Sequence, residues 1–142
     1  MLLLDTNVLS EALKPSPEPR VIAWLDRYFS ESAVSTVTLF ELAAGIALLR
    51  RGRKRDTLES AVARMTRRFG DRIYAFDAAA AEAAARLLAT ARASGLGVHQ
   101  VPAKLADLQI AGTAAAYGLT LVTRNTKDFE GLGLDLVDPW QH

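Results

Sequence analysis

Four acids in this 142-residue sequence could do chemistry together: Asp5 in "MLLLDTNVLSE", Glu41 in "TVTLFELAAGIALL", Asp107 in "VPAKLADLQIAGTAAAYG" and Asp128 in "LVTRNTKDFEG". Clustered carboxylates repel, so they either raise one another's pKa or recruit a cation. An all-oxygen set without histidine or thiolate suits Mg²⁺ or Mn²⁺, hard ions that keep several waters and accept phosphate oxygens as further ligands. Such an ion activates water and neutralises charge on a phosphodiester, which makes phosphodiester hydrolysis the natural reaction class.

Each acid also has an ordinary alternative. Asp5 suits the N-cap of a short helix beginning near Asn7. Thr38 and Glu41 fit a capping box on a helix starting at Thr38. Asp107 heads the apolar stripe of Ile110, Ala111 and Ala114 in a helix expected from near Pro102 to Gly118. An ionised carboxylate on that face is costly unless paired or metal-bound, and Arg124 is the candidate ion-pair partner. Asp128 shares a loop with Thr123 and Asn125, where turn chemistry alone explains such residues. His99 and His142 read as a loop histidine and a chain end, since metal-bound water needs no imidazole.

The elements that must hold these acids follow from the hydrophobic pattern. Strand-like runs at Leu2 to Leu4, Ala33 to Val37, Ile73 to Phe76, Leu119 to Thr123 and Leu134 to Val137 alternate with segments of helical period. This predicts an α/β sandwich with a central parallel sheet of four to five strands flanked by helices. Ligands of such sheets collect beyond the carboxyl ends of the strands, where Asp5, Glu41 and Asp107 are expected together, with Asp128 as a fourth candidate. Val21, Ile22, Leu25, Tyr28 and Phe29 mark one core-facing helical stripe, and Leu58, Val62, Met65 and Phe69 another. Alanine fills ten of the sixteen positions from Ala78 to Ala93, which suits a scaffold helix in close contact with a neighbour. Pro15, Pro17 and Pro19 mark a boundary.

Composition sets the limits. One domain spanning 1–142 is expected, with enough chain to bury a core. The absence of cysteine excludes thiol nucleophiles and disulfide frameworks. No unbroken 18-residue apolar stretch or leader pattern is present, so a cytoplasmic, non-membrane protein is expected. A formal net charge of +1 gives no strong steering, so any nucleic-acid binding depends on where the cations sit.

"LLLDTNVLSE", "STVTLFELAAG" and "DLQIAGTAAAYGLTLVTRNTKDF", in this order, resemble the PIN-domain ribonucleases, and most closely the VapC-type toxins of bacterial type II toxin–antitoxin pairs. The resemblance covers nearly the whole chain. It implies that Asp5, Glu41 and Asp107 form the acidic metal site, with Thr6, Asn7 and Thr123 as supporting polar residues. Asn125 stands where some relatives carry an acid, so it is carried over as a polar orienter and Asp128 as a water-mediated ligand, which leaves one metal or two open. The resemblance further implies an endoribonuclease acting on single-stranded parts of RNA such as tRNA, a homodimer, and a small VapB-like antitoxin.

Candidate RNA contacts are Arg50, Arg51, Arg53, Lys54 and Arg55, followed by Arg64, Arg67 and Arg68; a solvated face is the alternative for such a run. Trp24, with Leu25, Tyr28 and the helix of Leu39 to Leu49, could line a groove for an amphipathic antitoxin segment, or simply close the core. Two rival readings belong to other classes. One is a phosphatase with an aspartate nucleophile, although Asn7 stands where its second acid is needed. The other is a non-catalytic PIN-like binding module.

Overall fold

In the computed structural model, which describes residues 1–93 and 105–142, Leu2–Leu4 form the central strand β1. Leu3 and Leu4 are both fully buried because side chains alternate across a strand and this one is covered on both faces. The strands β2 (Ser32–Ser35), β3 (Ile73–Tyr74), β4 (Thr120–Val122) and β5 (Leu136–Val137) complete a five-stranded sheet in the order β3-β2-β1-β4-β5. Every pairing is parallel, with Leu4 set between Val34 and Val122. Strand order reverses at β1, so the crevice of this sheet opens at the carboxyl ends of β1 and β4.

Helices α1 (Thr6–Ala12), α2 (Pro19–Tyr28), α3 (Thr36–Ala47), α4 (Arg53–Phe69), α5 (Ala78–Ala93) and α6 (Leu105–Tyr117) cover the sheet. Leu4, Val34 and Val122 pack with Val8, Val21, Trp24 and Phe69 in one cluster. Leu3, Ala33 and Leu121 pack with Ala84, Leu87, Ile110 and Ala111 in the other. The alanine-rich α5 serves as the expected scaffold. It lies so close to α6 that a Cβ on Gly112 would fall 2.5 Å from the Ala84 Cβ.

The five expected strands all form, β1 with its expected bounds and the other four shorter. β2 ends at Ser35, whose hydroxyl accepts from the Val37 amide at 3.0 Å and starts α3 two residues before the expected cap. Thr38 is therefore buried inside the helix, and the Thr38–Glu41 capping box does not form. β3 stops at Tyr74 because the Phe76 amide turns to the Thr36 hydroxyl (3.1 Å) and Asp77 accepts from the Ala80 amide (3.0 Å) at the start of α5. His99 and the expected helix start near Pro102 lie outside the described residues. Among those residues, no helix is long and apolar enough to cross a membrane.

The single groove expected around Trp24 is divided in two. Trp24 is buried in the core beside Leu42, and with Tyr28, Arg20 and His142 it borders one cavity of about 450 Å³. Leu42, Gly45 and Ile46 of α3 border another, of about 320 Å³, against Leu13 and Leu58. Leu25 lines neither and instead borders a third cavity, of about 240 Å³, with Leu9, Ile22 and Met65.

Candidate active site

Asp5 follows β1 and caps α1, so the capping role and the chemical one fall on the same residue. Its Oδ1 accepts from the Thr6 amide at 2.7 Å and its Oδ2 from the Thr123 hydroxyl at 2.7 Å. Caps are ordinarily solvated, yet Asp5 is only 2% exposed. Burial raises its pKa above the ordinary 3.8; the hydrogen bonds from Thr123 and Thr6 oppose that rise, and the charge of Glu41 adds to it. A carboxylate has about four acceptor positions, and two donors leave room for more.

Thr123, at the end of β4, is fully buried. Its hydroxyl accepts from the Asn7 side-chain amide at 3.3 Å and the Asn125 backbone amide at 3.1 Å. With both lone pairs engaged, its single proton is directed to Asp5. Asn7 also reaches across, its Oδ1 accepting from the Arg124 amide at 3.5 Å. Asp5, Asn7 and Thr123 thus join the two strand ends at the reversal point of the sheet.

Glu41 lies in the second turn of α3, where the Thr6 hydroxyl meets its Oε1 at 2.5 Å. Thr6 and Thr38 hydroxyls are 3.1 Å apart. Thr6 has one proton, and the shorter contact to a carboxylate takes it, so Thr38 is the donor in the hydroxyl pair. Asp107 sits half-buried in the first turn of α6, ahead of the fully buried Ala111 and Ala114. Asp5, Glu41 and Asp107 line a cavity of about 380 Å³ together with Thr6, Asn7 and Asn125. Among the described residues no three acidic or histidine side chains converge on one point, so the acids share a cavity and not a formed coordination sphere.

Asp128 opens elsewhere. It lies in a one-turn helix (Thr126–Asp128) and lines a neighbouring cavity of about 840 Å³, while Asn125 lines both. Of the expected RNA contacts, only Lys54 reaches the acids' vicinity, bordering the α3 groove with Thr6 and Glu41. Arg50, Arg51 and Arg53 are exposed and line none of these cavities. Arg55, in the first turn of α4, instead donates back to the Leu49 carbonyl (3.4 Å) and pairs with Glu59 of the same helix (3.1 Å). Arg68 lies 4.1 Å over the Phe29 ring, where α4 runs back toward the amino edge of the sheet, while Arg64 and Arg67 are exposed on the same helix.

Several cavity residues had escaped notice. Glu11 is 7% exposed, paired with Lys14 at 2.9 Å and accepting from the Glu18 amide at 3.0 Å. These partners, Lys14 foremost, hold its pKa below the usual range. The signal was available: Asn7, Ser10, Glu11 and Lys14 recur at helical spacing on a polar stripe opposite Val8 and Leu9. Arg124, weighed above as a partner for Asp107, lines the cavity too, and so does Trp140, which no local pattern brings there.

A family model described as "PIN domain" matches residues 2–133. The chain is 41% identical to the plasmid stability protein StbB of Pseudomonas syringae pv. tomato, 36% to the VapC ribonuclease Y4jK of Sinorhizobium fredii and 37% to the toxin FitB of Neisseria gonorrhoeae, with 99% of each chain covered. Among solved structures, FitAcB from Neisseria gonorrhoeae aligns over 100% of both chains with a TM-score of 0.89 at 36% identity. DNA-bound VapBC from Salmonella typhimurium aligns over 97% of both with a TM-score of 0.78 at 26% identity. With a parallel sheet whose reversal point carries a buried aspartate, and with these relatives matched end to end, the chain belongs to the PIN-domain family, in the group of the VapC ribonucleases and the FitB toxin.

Proposed function

We propose that this protein is a Mg²⁺- or Mn²⁺-dependent endoribonuclease and the toxin of a toxin–antitoxin pair, held in check by a small VapB-like antitoxin. The observation that carries the reading is Asp5: a buried carboxylate, aimed by two donors and bordering a cavity that Glu41 and Asp107 also line. Its chemistry fits a hard cation, because the cavity's acids offer only oxygen and the raised pKa of Asp5 reports a charge that lacks sufficient stabilisation. Asp5, Glu41 and Asp107 are the residues that would hold the ion, with Asp128 contributing through water and Asn125 orienting from the shared wall. Once bound, the ion supplies an activated water and neutralises phosphodiester charge.

The remaining work falls to the chain. Thr123 holds Asp5 in one rotamer and keeps its own proton on the carboxylate. Thr6 does the same for Glu41, supported from behind by Thr38. Lys14 balances Glu11, so that this further acid adds little repulsion to the site. The substrate is RNA, with tRNA as a candidate, cut in the cytoplasm by a homodimer of single PIN domains.

The test is cleavage of total cellular RNA by the purified protein with Mg²⁺, Mn²⁺ or chelator, beside Asp107→Asn. Ion-dependent cutting that Asp107→Asn lacks is expected. Full cutting by a folded Asp107→Asn protein would exclude the mechanism. Co-purification with the product of an adjacent short reading frame tests the toxin role.

A further inference from the structure

The acidic cavity continues past its own rim. Arg124, Asn125 and Trp140 line it and also line the larger cavity of about 840 Å³ that holds Asp128. We propose that this larger cavity is the channel by which a single RNA strand reaches the acids, with Arg20, Arg124 and Lys127 on its phosphates and the Arg124–Trp140 stack beneath a base. This rests on the nuclease reading and adds to it the path of the strand, away from the basic loop of Arg50 to Arg55.

A polyanion approaching a carboxylate cluster needs cations along its approach, placed outside the acids themselves. Lys14 is paired with Glu11 and Arg55 with Glu59, while Arg68 lines none of the cavities that hold the acids. Arg20, Arg124 and Lys127 instead share one cavity that adjoins the site. Two of them are set in place by the same residue. Arg20 donates to the Trp140 carbonyl at 3.3 Å, and the Arg124 guanidinium lies 5.1 Å over the Trp140 ring. Trp140 is itself fixed, its amide donating to Asp138 at 2.8 Å within the one-turn helix Pro139–Gln141. Guanidinium groups held this way bind phosphate with less ordering cost.

The stack also decides between kinds of polyanion. Guanidinium planes and aromatic rings are the surfaces on which unpaired bases settle, whereas a duplex would present only its backbone. Glu18, Asp128 and Asp138 stand among the cations, so the cavity is not a uniform basic patch. It suits a strand that offers phosphates at separate points and bases between them. A peptide segment of a protein partner is the competing occupant.

The experiment measures fluorescence anisotropy of a short labelled single-stranded RNA with chelator present, so that nothing is cut, and salt dependence for each variant. Arg124→Ala and Lys127→Ala should each weaken binding about tenfold and reduce the salt slope by about one. Arg20→Lys should retain affinity that Arg20→Ala loses, which separates charge from folding; melting curves check every variant. Arg86→Ala, on the exposed face of α5, should match wild type. Wild type that neither binds nor cuts RNA overturns the nuclease reading and the channel together. Wild type that cuts RNA, with affinity untouched in folded Arg124→Ala and Lys127→Ala, overturns the channel alone. A larger loss in the Arg50→Ala, Arg51→Ala double variant than in Arg124→Ala routes the strand over the loop and overturns it too. So does loss of antitoxin binding in Arg124→Ala with RNA affinity intact, which assigns the cavity to a protein partner.

Discussion

Arg72 and Asp5 sit at opposite edges of one sheet and show two fates of a charge brought against the core. At the amino edge, the half-buried Arg72 donates to the carbonyls of Phe29 (2.5 Å), Ser32 and Arg68 (3.1 Å), and its guanidinium lies 5.1 and 5.6 Å from the Phe29 and Phe69 ring centres. Its partners are all internal, so it ties α4 to the start of β2 and β3. At the carboxyl edge, Asp5 is more deeply buried, receives two donors, has its pKa raised and borders a cavity. A buried charge surrounded by sufficient partners is structure. One that is aimed, short of partners and open to a cavity is a site awaiting a ligand.

The sharpest way to break this contrast is to neutralise the acids. Asp5→Asn should reduce RNA cleavage on the order of a thousandfold, since it removes charge where an ion must be held. It should not raise the melting temperature as relief of repulsion alone would suggest. An amide has one acceptor end, so either the Thr6 amide or the Thr123 hydroxyl would face another donor. Asp107→Asn should lose cleavage to a similar degree while its ion-free form is as stable as wild type or more so. Equal melting shifts in the two variants would show that Thr123 does not constrain Asp5.

Thr123→Val tests the aiming itself. It keeps shape but leaves Asp5, Asn7 and the Asn125 amide without the shared hydroxyl. Cleavage should fall ten- to roughly a hundredfold, mainly in kcat, and Thr123→Ser should recover it. Unchanged kinetics in a folded Thr123→Val protein would remove Thr123 from the site.

Arg72→Ala is the converse experiment at the other edge. Losing three carbonyl contacts to a charged group should lower unfolding free energy by about 2 kcal/mol, read from the urea midpoint. Cleavage per folded molecule should be unaffected. A drop in activity matching that of Thr123→Val would mean the two edges are coupled.

The smallest expected effect is in pH. Burial, with a lesser push from Glu41, raises the Asp5 pKa above 3.8, so between 3.8 and the raised value the native state holds a proton that the unfolded chain has released. Stability of the ion-free protein therefore declines as pH rises through that window and stays lowered above it. Asp5→Asn should lack this component, and added Mg²⁺ or Mn²⁺ should stabilise wild type more at neutral than at acidic pH. A melting difference between wild type and Asp5→Asn that is flat across the range would contradict it.

What was legible in the sequence was what local chemistry specifies. Short apolar runs separated by helical stripes require a covered parallel sheet, and an acid directly after the first run must lie at a carboxyl end. Asp5 directly after a strand, Glu41 early in the helix after the second strand and Asp107 early in a later helix were expected at one end of the sheet, and all three line one cavity; the family comparison agrees with that fold. The cap of α3 falls on Ser35 and not on Thr38, although both are good caps by residue type. Burial of Thr38 against Thr6, a contact across the fold, decided between them.

Tertiary packing alone decided the rest. A run of cations carries no direction, so nothing in "RRGRKR" tells that Arg55 folds back on Leu49 while Lys54 borders the Glu41 groove. Trp140 reads as an ordinary aromatic near the chain end, yet the chain returns along β5 to set it against Arg20 of α2 and Arg124 after β4. The Arg20 contact joins segments 120 positions apart, and even the Arg124 contact crosses from the end of β4 past β5. Side-chain direction over such separations follows from how helices seat on the sheet, a property of the whole packed core that no short stretch of residues encodes.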